Sequence, residues 1–280
     1  MSTQKALCVG INTFKNYPEA ALHGCVNDAL DMAALLKDKG GFAADDITLL
    51  TDTQATKAAI MQHLTQMVTG AKAGKLDALV FSLSSHGTQL PDTDGDEDDR
   101  LDEAFCPHDL AQKDNRWDHD HIIVDDELNA LFAQLPASVT LEVFLDTCHS
   151  ATGLKGDAID MWPVRCFLPD SIQAGINEFL ATQSKAIRTP VTDTGGTPTI
   201  AAQHILWAAC QADQTSADAN FGDKPNGAFT YFYIKTVRAA AGSTTRSEII
   251  SQIRSTMKGQ FTQVPQLETD ALNRAKPISE

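Results

Sequence analysis

The sequence predicts an α/β fold in which a mainly parallel central β-sheet is flanked by helices. Three observations carry the prediction. Short apolar runs alternate with longer stretches of helical apolar spacing, as in βαβ units. Two of the runs end in small and reactive residues, "SSHG" and "DTCHS", where an open parallel sheet presents its ligand-binding carboxyl ends. No internal repeat and no clear linker divides the 280 residues. Residues 1–280 are therefore read as a single domain, long enough for a sizeable core.

The elements follow in chain order. "KALCVGIN" (5–12) is a strand, and "NDALDMAALLKDKGG" (27–41) is a helix with Asn27 as N-cap and a double-glycine stop. "DITLLTD" (46–52) is a strand, and "ATKAAIMQHLTQMVTG" (55–70) is a helix closed by Gly70. "LDALVFSLSSHG" (76–87) runs as a strand into a small-residue tip. An acidic loop occupies 91–109, and a helix with acids in its first turn occupies 124–135. "VTLEVFLD" (139–146) is the next strand. Residues 151–200, rich in Thr, Pro and Gly, are expected to form a long irregular loop. A buried strand (204–212), two helices (227–240 and 247–258) and an edge strand (263–268) containing Pro265 complete the chain.

Composition narrows the function classes. The net charge of −15 repels nucleic acid and anionic membranes and favours cationic ligands, either metal ions or basic peptides. No apolar stretch approaches the roughly 20 residues that span a bilayer. The N-terminus has no signal-peptide pattern, so a cytoplasmic protein is expected. The six cysteines are scattered without CxxC pairs, which argues against a disulfide framework or a structural zinc site.

The chemistry concentrates at two strand tips. One presents His86 beside Gly87, and the other presents Cys148. A thiol is a weak nucleophile until a nearby base takes its proton, and an imidazole is suited to that task. His149 is poorly placed to serve Cys148, because adjacent strand residues point to opposite faces. His119 and His121 lie in a loop of unpredicted position. Taken alone, Cys148 also fits a buried inert thiol, and His86 a hydrogen-bonded structural histidine.

These residues carry a family resemblance. "FSLSSHGTQLPDTDGDEDDRLDEAFCPHD", "IIVDDELNALF" and "FLDTCHSATG" resemble a metacaspase, of the caspase-like cysteine peptidase clan. So do "CVGINTFKN", "LHGCVNDALDMAALL" and "AACQADQTSADA" with "NGAFTYFYIK". In caspases the histidine lies about 50 residues before the cysteine, and the same order is seen here. The resemblance implies a caspase-like three-layer sandwich. It implies a Cys148–His86 dyad attacking a peptide carbonyl, with the Gly87 and Cys148 N–H groups as oxyanion donors.

It further implies cleavage after Arg or Lys, through an acidic pocket matching Cys25, Asp28, Ser84 and Asp146. The residues alone agree in part: Asp146 lies two positions before Cys148 and shares its strand face. Asp28 reads equally as an acid at a helix start. Two carboxylates in one cleft would bind a guanidinium or ammonium. Arg165, Lys185 and Arg188 lie in the 151–200 segment, which could then be self-cleaved.

The family's calcium ligands match Asp102, Asp125 and Asp126, hard oxygen donors suited to Ca²⁺. The fourth ligand's position holds Lys155, with Asp157 the nearest acid, and Ala151 replaces the glycine usual after "CHS". Asp92, Asp94, Asp96, Asp98 and Glu103 have EF-hand spacing, yet Glu97 stands where the loop needs glycine, so a solvated acidic loop is the better reading. A cysteine endopeptidase acting as a monomer on proteins with basic residues is expected. No organic cofactor, nucleic acid or membrane partner is expected. The alternative is a catalytically silent regulatory or calcium-binding protein of the same fold.

Overall fold

The computed structural model describes residues 3–92, 100–148, 164–183, 204–211 and 214–278. In chain order the elements are β1 (Gln4–Gly10), α1 (Cys25–Asp38), β2 (Ile47–Thr51), α2 (Lys57–Lys72), β3 (Ala78–Ser84), β4 (Gly87–Pro91), β5 (Leu101–Phe105), β6 (Gln112–Lys113), β7 (Arg116–Trp117) and β8 (Ile123–Val124). They continue with α3 (Asp125–Phe132), β9 (Thr140–Asp146), α4 (Asp170–Gln183), β10 (His204–Ala208), β11 (Asp218–Phe221), β12 (Lys224–Gly227), α5 (Ala228–Ala239), α6 (Arg246–Met257), β13 (Gln266–Glu268) and α7 (Ala271–Ala275).

Among the described residues, six strands form the main sheet in the order β13-β10-β9-β3-β1-β2. All neighbours pair parallel except β13, which runs antiparallel at the edge. The core follows from alternation along these strands. Leu7, Val9, Leu79, Phe81, Leu83, Leu141 and Val143 pack with Ile60, Leu64 and Met67 of α2, Leu128 and Phe132 of α3, and Ile172 and Ile176 of α4. On the opposite face Cys8, Val80, Phe144, Ile205 and Trp207 meet Met32 and Leu35 of α1, Phe229 and Tyr233 of α5, and Ile249 and Ile253 of α6. Two helical layers thus enclose one sheet. Each buried Leu, Ile or Phe contributes about 1.5–3 kcal/mol through removal from water.

The structure corrects several expected boundaries. Helix α1 starts at Cys25 with Gly24 as its N-cap. Asn27 lies inside the first turn, donating to the Pro225 carbonyl at 2.7 Å. Helix α2 is capped by Thr56, whose hydroxyl accepts from the Ala59 amide, and it runs through Gly70 to Lys72. The strand expected over 76–87 divides: β3 ends at Ser84, and Gly87 opens β4, which pairs antiparallel with β5. Part of the expected acidic loop is therefore a hairpin strand. The irregular reading of 151–200 fails for Asp170–Gln183, which forms α4. The hairpin β11–β12 was not foreseen. Residues 93–99 of the EF-hand reading, together with His149, Ala151, Lys155, Asp157, Lys185 and Arg188, lie outside the described residues.

Candidate active site

Strands β3 and β9 are adjacent, and their last residues Ser84 and Asp146 stand in register. The two tips that follow therefore meet. The Gly87 amide (2.9 Å) and the Cys148 amide (3.3 Å) both donate to one atom, the carbonyl oxygen of Arg165. Cys148 is fully buried beneath this segment and His86 is 5% exposed.

His86 Nε2 lies 2.8 Å from the Ala20 carbonyl. A carbonyl only accepts, so Nε2 carries the proton, and in the neutral ring Nδ1 holds a lone pair. Nδ1 is buried without a hydrogen bond among the described residues. Burial depresses the ring's pKa to about 4. Burial also raises the Cys148 thiol, as does its hydrogen bond with the Cys166 thiol, while the Ser216 backbone works weakly the other way. Under the segment the pair is thus a neutral thiol and a neutral imidazole.

The segment lies across the strand ends like an added strand. The Arg165 amide donates to the Ser216 carbonyl at 2.9 Å, and the Phe167 amide to the Gly87 carbonyl at 3.0 Å. Bridges pair Val164 with Ala217 and Gly87 with Cys166. The Arg165 guanidinium enters a closed acidic pocket. It meets Asp28 at 2.7 Å, Asp218 at 2.9 Å and Asp146 at 3.2 Å, with every partner buried. Such charge-assisted, multiply directed bonds are what guanidinium geometry favours.

The pocket's acids are each held in place. Asp146 accepts from the Ser216 hydroxyl and from the amide and hydroxyl of Thr230. Asp28 accepts from Asn226 Nδ2 and the Gly227 amide. Burial raises the Asp28 pKa, with Arg165 opposing as the next-largest influence. Asp218 accepts from the amides of His23 and Gly24. Gly227 has to lack a side chain, because a Cβ there would stand 2.2 Å from Asp146 Oδ2 and 2.4 Å from Arg165 Nη1.

The structure brings Cys25, Asp28, Ser84 and Asp146 to this end of the sheet. Cys25 opens α1, fully buried, with Arg165, Asp218, Asp28 and Asp146 as its charged neighbours. Asp218 was missed by sequence reasoning, and its only sequence signal is an acid among the small residues of "TSADA". Of the rival histidines, His121 pairs with Asp118 at 3.2 Å and His119 sits in the same short turn.

Asp102, Glu103, Asp125 and Asp126 crowd one another along β5 and the start of α3. Burial and these neighbours raise Asp125 to about 8. The repulsion fits a divalent cation as its relief. Among the described residues, however, no three metal-binding side chains converge.

Comparison with known proteins bears on the family and the fold. The family model described as "Metacaspase, peptidase C14 domain" matches residues 4–157. Metacaspase-1 of Cryptococcus neoformans is 31% identical over 94% of this chain, and Metacaspase-1 of Pyricularia oryzae is 32% identical over 94%. The chain spans 62% and 71% of those relatives' lengths. A crystal structure of a Geobacter sulfurreducens protein aligns over 99% of this chain and 98% of its own, with a TM-score of 0.67 and 28% identity. The crystal structure of Caspase-1 from Spodoptera frugiperda aligns over 96% and 86%, with a TM-score of 0.59, and at 14% identity it shares the fold. The chain belongs to the metacaspase family of cysteine-type peptidases.

Proposed function

We propose that the chain is an endopeptidase that cuts proteins after Arg or Lys through Cys148 and His86, and that it first cuts itself between Arg165 and Cys166. The observation that carries this reading is the seating of Arg165. Its carbonyl lies between the Gly87 and Cys148 amides, and its guanidinium lies among three carboxylates. One residue thereby engages both a specificity pocket and an oxyanion cradle.

The chemistry follows. The Cys148 thiol gives its proton to His86 Nδ1, and the sulfur attacks the carbonyl carbon of Arg165. The carbonyl electron pair moves to the oxygen held by the two amides. On collapse the carbon–nitrogen bond to Cys166 breaks, and His86 returns the proton to the leaving amine. Water, deprotonated by His86, then hydrolyses the thioester and frees the thiol. Departure of Arg165 leaves three buried carboxylates facing one another, so the emptied pocket selects a cation.

Calcium is a further part of this reading. Asp102, Asp125 and Asp126 would hold Ca²⁺, which would supply charge neutralisation at the start of α3 rather than any step of the peptide cleavage. The antiparallel edge strand β13, preceded by Pro265, supports a monomer. Among the described residues no helix is long and apolar enough to cross a membrane. Fluorogenic Arg, Lys and Asp peptides, assayed with calcium and with chelator, test the proposal. Turnover of the Arg and Lys peptides that Cys148→Ala abolishes is expected. Turnover of the Asp peptide alone, or activity retained in Cys148→Ala, would overturn it.

A further inference from the structure

Beyond the cut bond, the segment enters an aromatic box. Phe167, two residues past Arg165, packs edge-on to Tyr17 with ring centres 5.1 Å apart. It also lies 5.8 Å from the His86 ring and 6.2 Å from Trp117. The walls of the box are also held by contacts that do not involve Phe167. Tyr17 and Trp117 meet edge-to-face at 5.9 Å, and Trp117 Nε1 donates to Thr88 Oγ1 at 3.1 Å. The Phe167 amide pairs with the Gly87 carbonyl, on the same residue whose amide holds the Arg165 carbonyl. Backbone pairing therefore fixes which residue after the cut bond faces the box. One wall of that box is the ring of His86.

We propose, resting on the peptidase reading above, that Tyr17, Trp117 and the His86 ring form a leaving-side subsite for an aromatic side chain two residues after the scissile bond. Phe167 is its occupant in cis. The chain beyond it is anchored. Ile172 and Ile176 of α4 are buried in the core, Ser171 Oγ bonds Gln112, and Gly175 packs so closely on Asn115 that a Cβ would stand 2.3 Å from its carbonyl oxygen. Cutting Arg165–Cys166 thus frees the acidic pocket while α4 keeps Phe167 beside the box. Extended substrates compete with Phe167, whereas small Arg amides have no residue to place there.

The test uses chains incubated until Arg165–Cys166 is cut, assayed on internally quenched peptides containing Arg-Ser-Phe or Arg-Ser-Ala. The ratio of kcat/KM for the two is taken within each variant, so a change in overall rate does not enter. In Phe167→Ala the Phe peptide is expected to lead by about tenfold, and adding Trp117→Leu should collapse that ratio toward one. If Phe167→Ala does not fold or process, Phe167→Leu, a weaker competitor without the ring, should still favour the Phe peptide over the Ala peptide by more than the unmutated chain does, and adding Trp117→Leu should remove that gain; no gain would overturn the subsite. A ratio near one in the vacated variant, or one that survives loss of Trp117, overturns the subsite. Failure of the peptidase reading is distinct: no release of aminomethylcoumarin from its Arg amide by the unmutated chain.

Discussion

Among the described residues two arginines are fully buried, Arg165 and Arg246, and they are held in opposite ways. Arg246 opens α6, donates to Glu142 at 3.2 Å, and donates to the Pro277 carbonyl at 3.2 Å. Glu142 also accepts from Trp207 Nε1. One cation meets one anion, and the helix supplies the frame. Arg165 meets three carboxylates, lies on a segment between strand ends, and gives its own carbonyl to two amides. Balanced charge at Arg246 suits a permanent structural pair. Excess negative charge at Arg165 suits a pocket that outlasts its occupant, because acids beyond neutrality are costly unless a ligand needs them.

The contrast can be broken by substitution. Asp146→Asn removes a carboxylate from the pocket while keeping its shape, and it should lower kcat/KM on Arg peptides by about a hundredfold. Thermal stability should fall little, since two acids remain for one cation; a loss as large in stability as in activity would make the pocket structural. Arg246→Met, in turn, should destabilise the fold by about 3–5 kcal/mol in denaturant melts, because it strands Glu142. Its KM for Arg peptides should be unchanged.

The sealed site also titrates. An unfolded histidine has a pKa near 6.5, and His86 is depressed to about 4 by burial. The unfolded chain therefore binds the extra proton first. Stability from this group is complete above pH 6.5 and is lost as pH falls toward 4. The difference in unfolding free energy between the unmutated chain and His86→Gln should shrink by about 3 kcal/mol across that window. The subtraction removes the opposite contribution of Asp28. A pH-independent difference would mean the ring is open to solvent. The smallest effect lies far from the site: Thr56→Ala removes the α2 cap and should cost about 1 kcal/mol without altering turnover.

Much of this was legible in the residues. β1, β3, β9 and β10 are apolar runs, and their order in the chain with intervening helices specifies a parallel sheet. The meeting of the two strand tips was legible because each follows such a run. Helix α4 was missed although Asp170, Ile172, Ile176 and Leu180 carry helical spacing, because the surrounding Thr, Pro and Gly masked it. The β11–β12 hairpin was illegible because "KPNG" has no strand pattern and is placed by contacts with α1. Arg165 was legible as a basic residue in a segment open to self-cleavage, but its seating in the pocket, and the place of Asp218 beside it, depend on long-range pairing that no local pattern encodes.

The most direct test is the mass of the purified chain after incubation in calcium. The account predicts two fragments, residues 1–165 and 166–280, from the unmutated chain, and an intact chain from both Cys148→Ala and Arg165→Gln. An unmutated chain that hydrolyses Arg peptides yet keeps Arg165–Cys166 whole, or cuts itself only at Lys185 or Arg188, would contradict it.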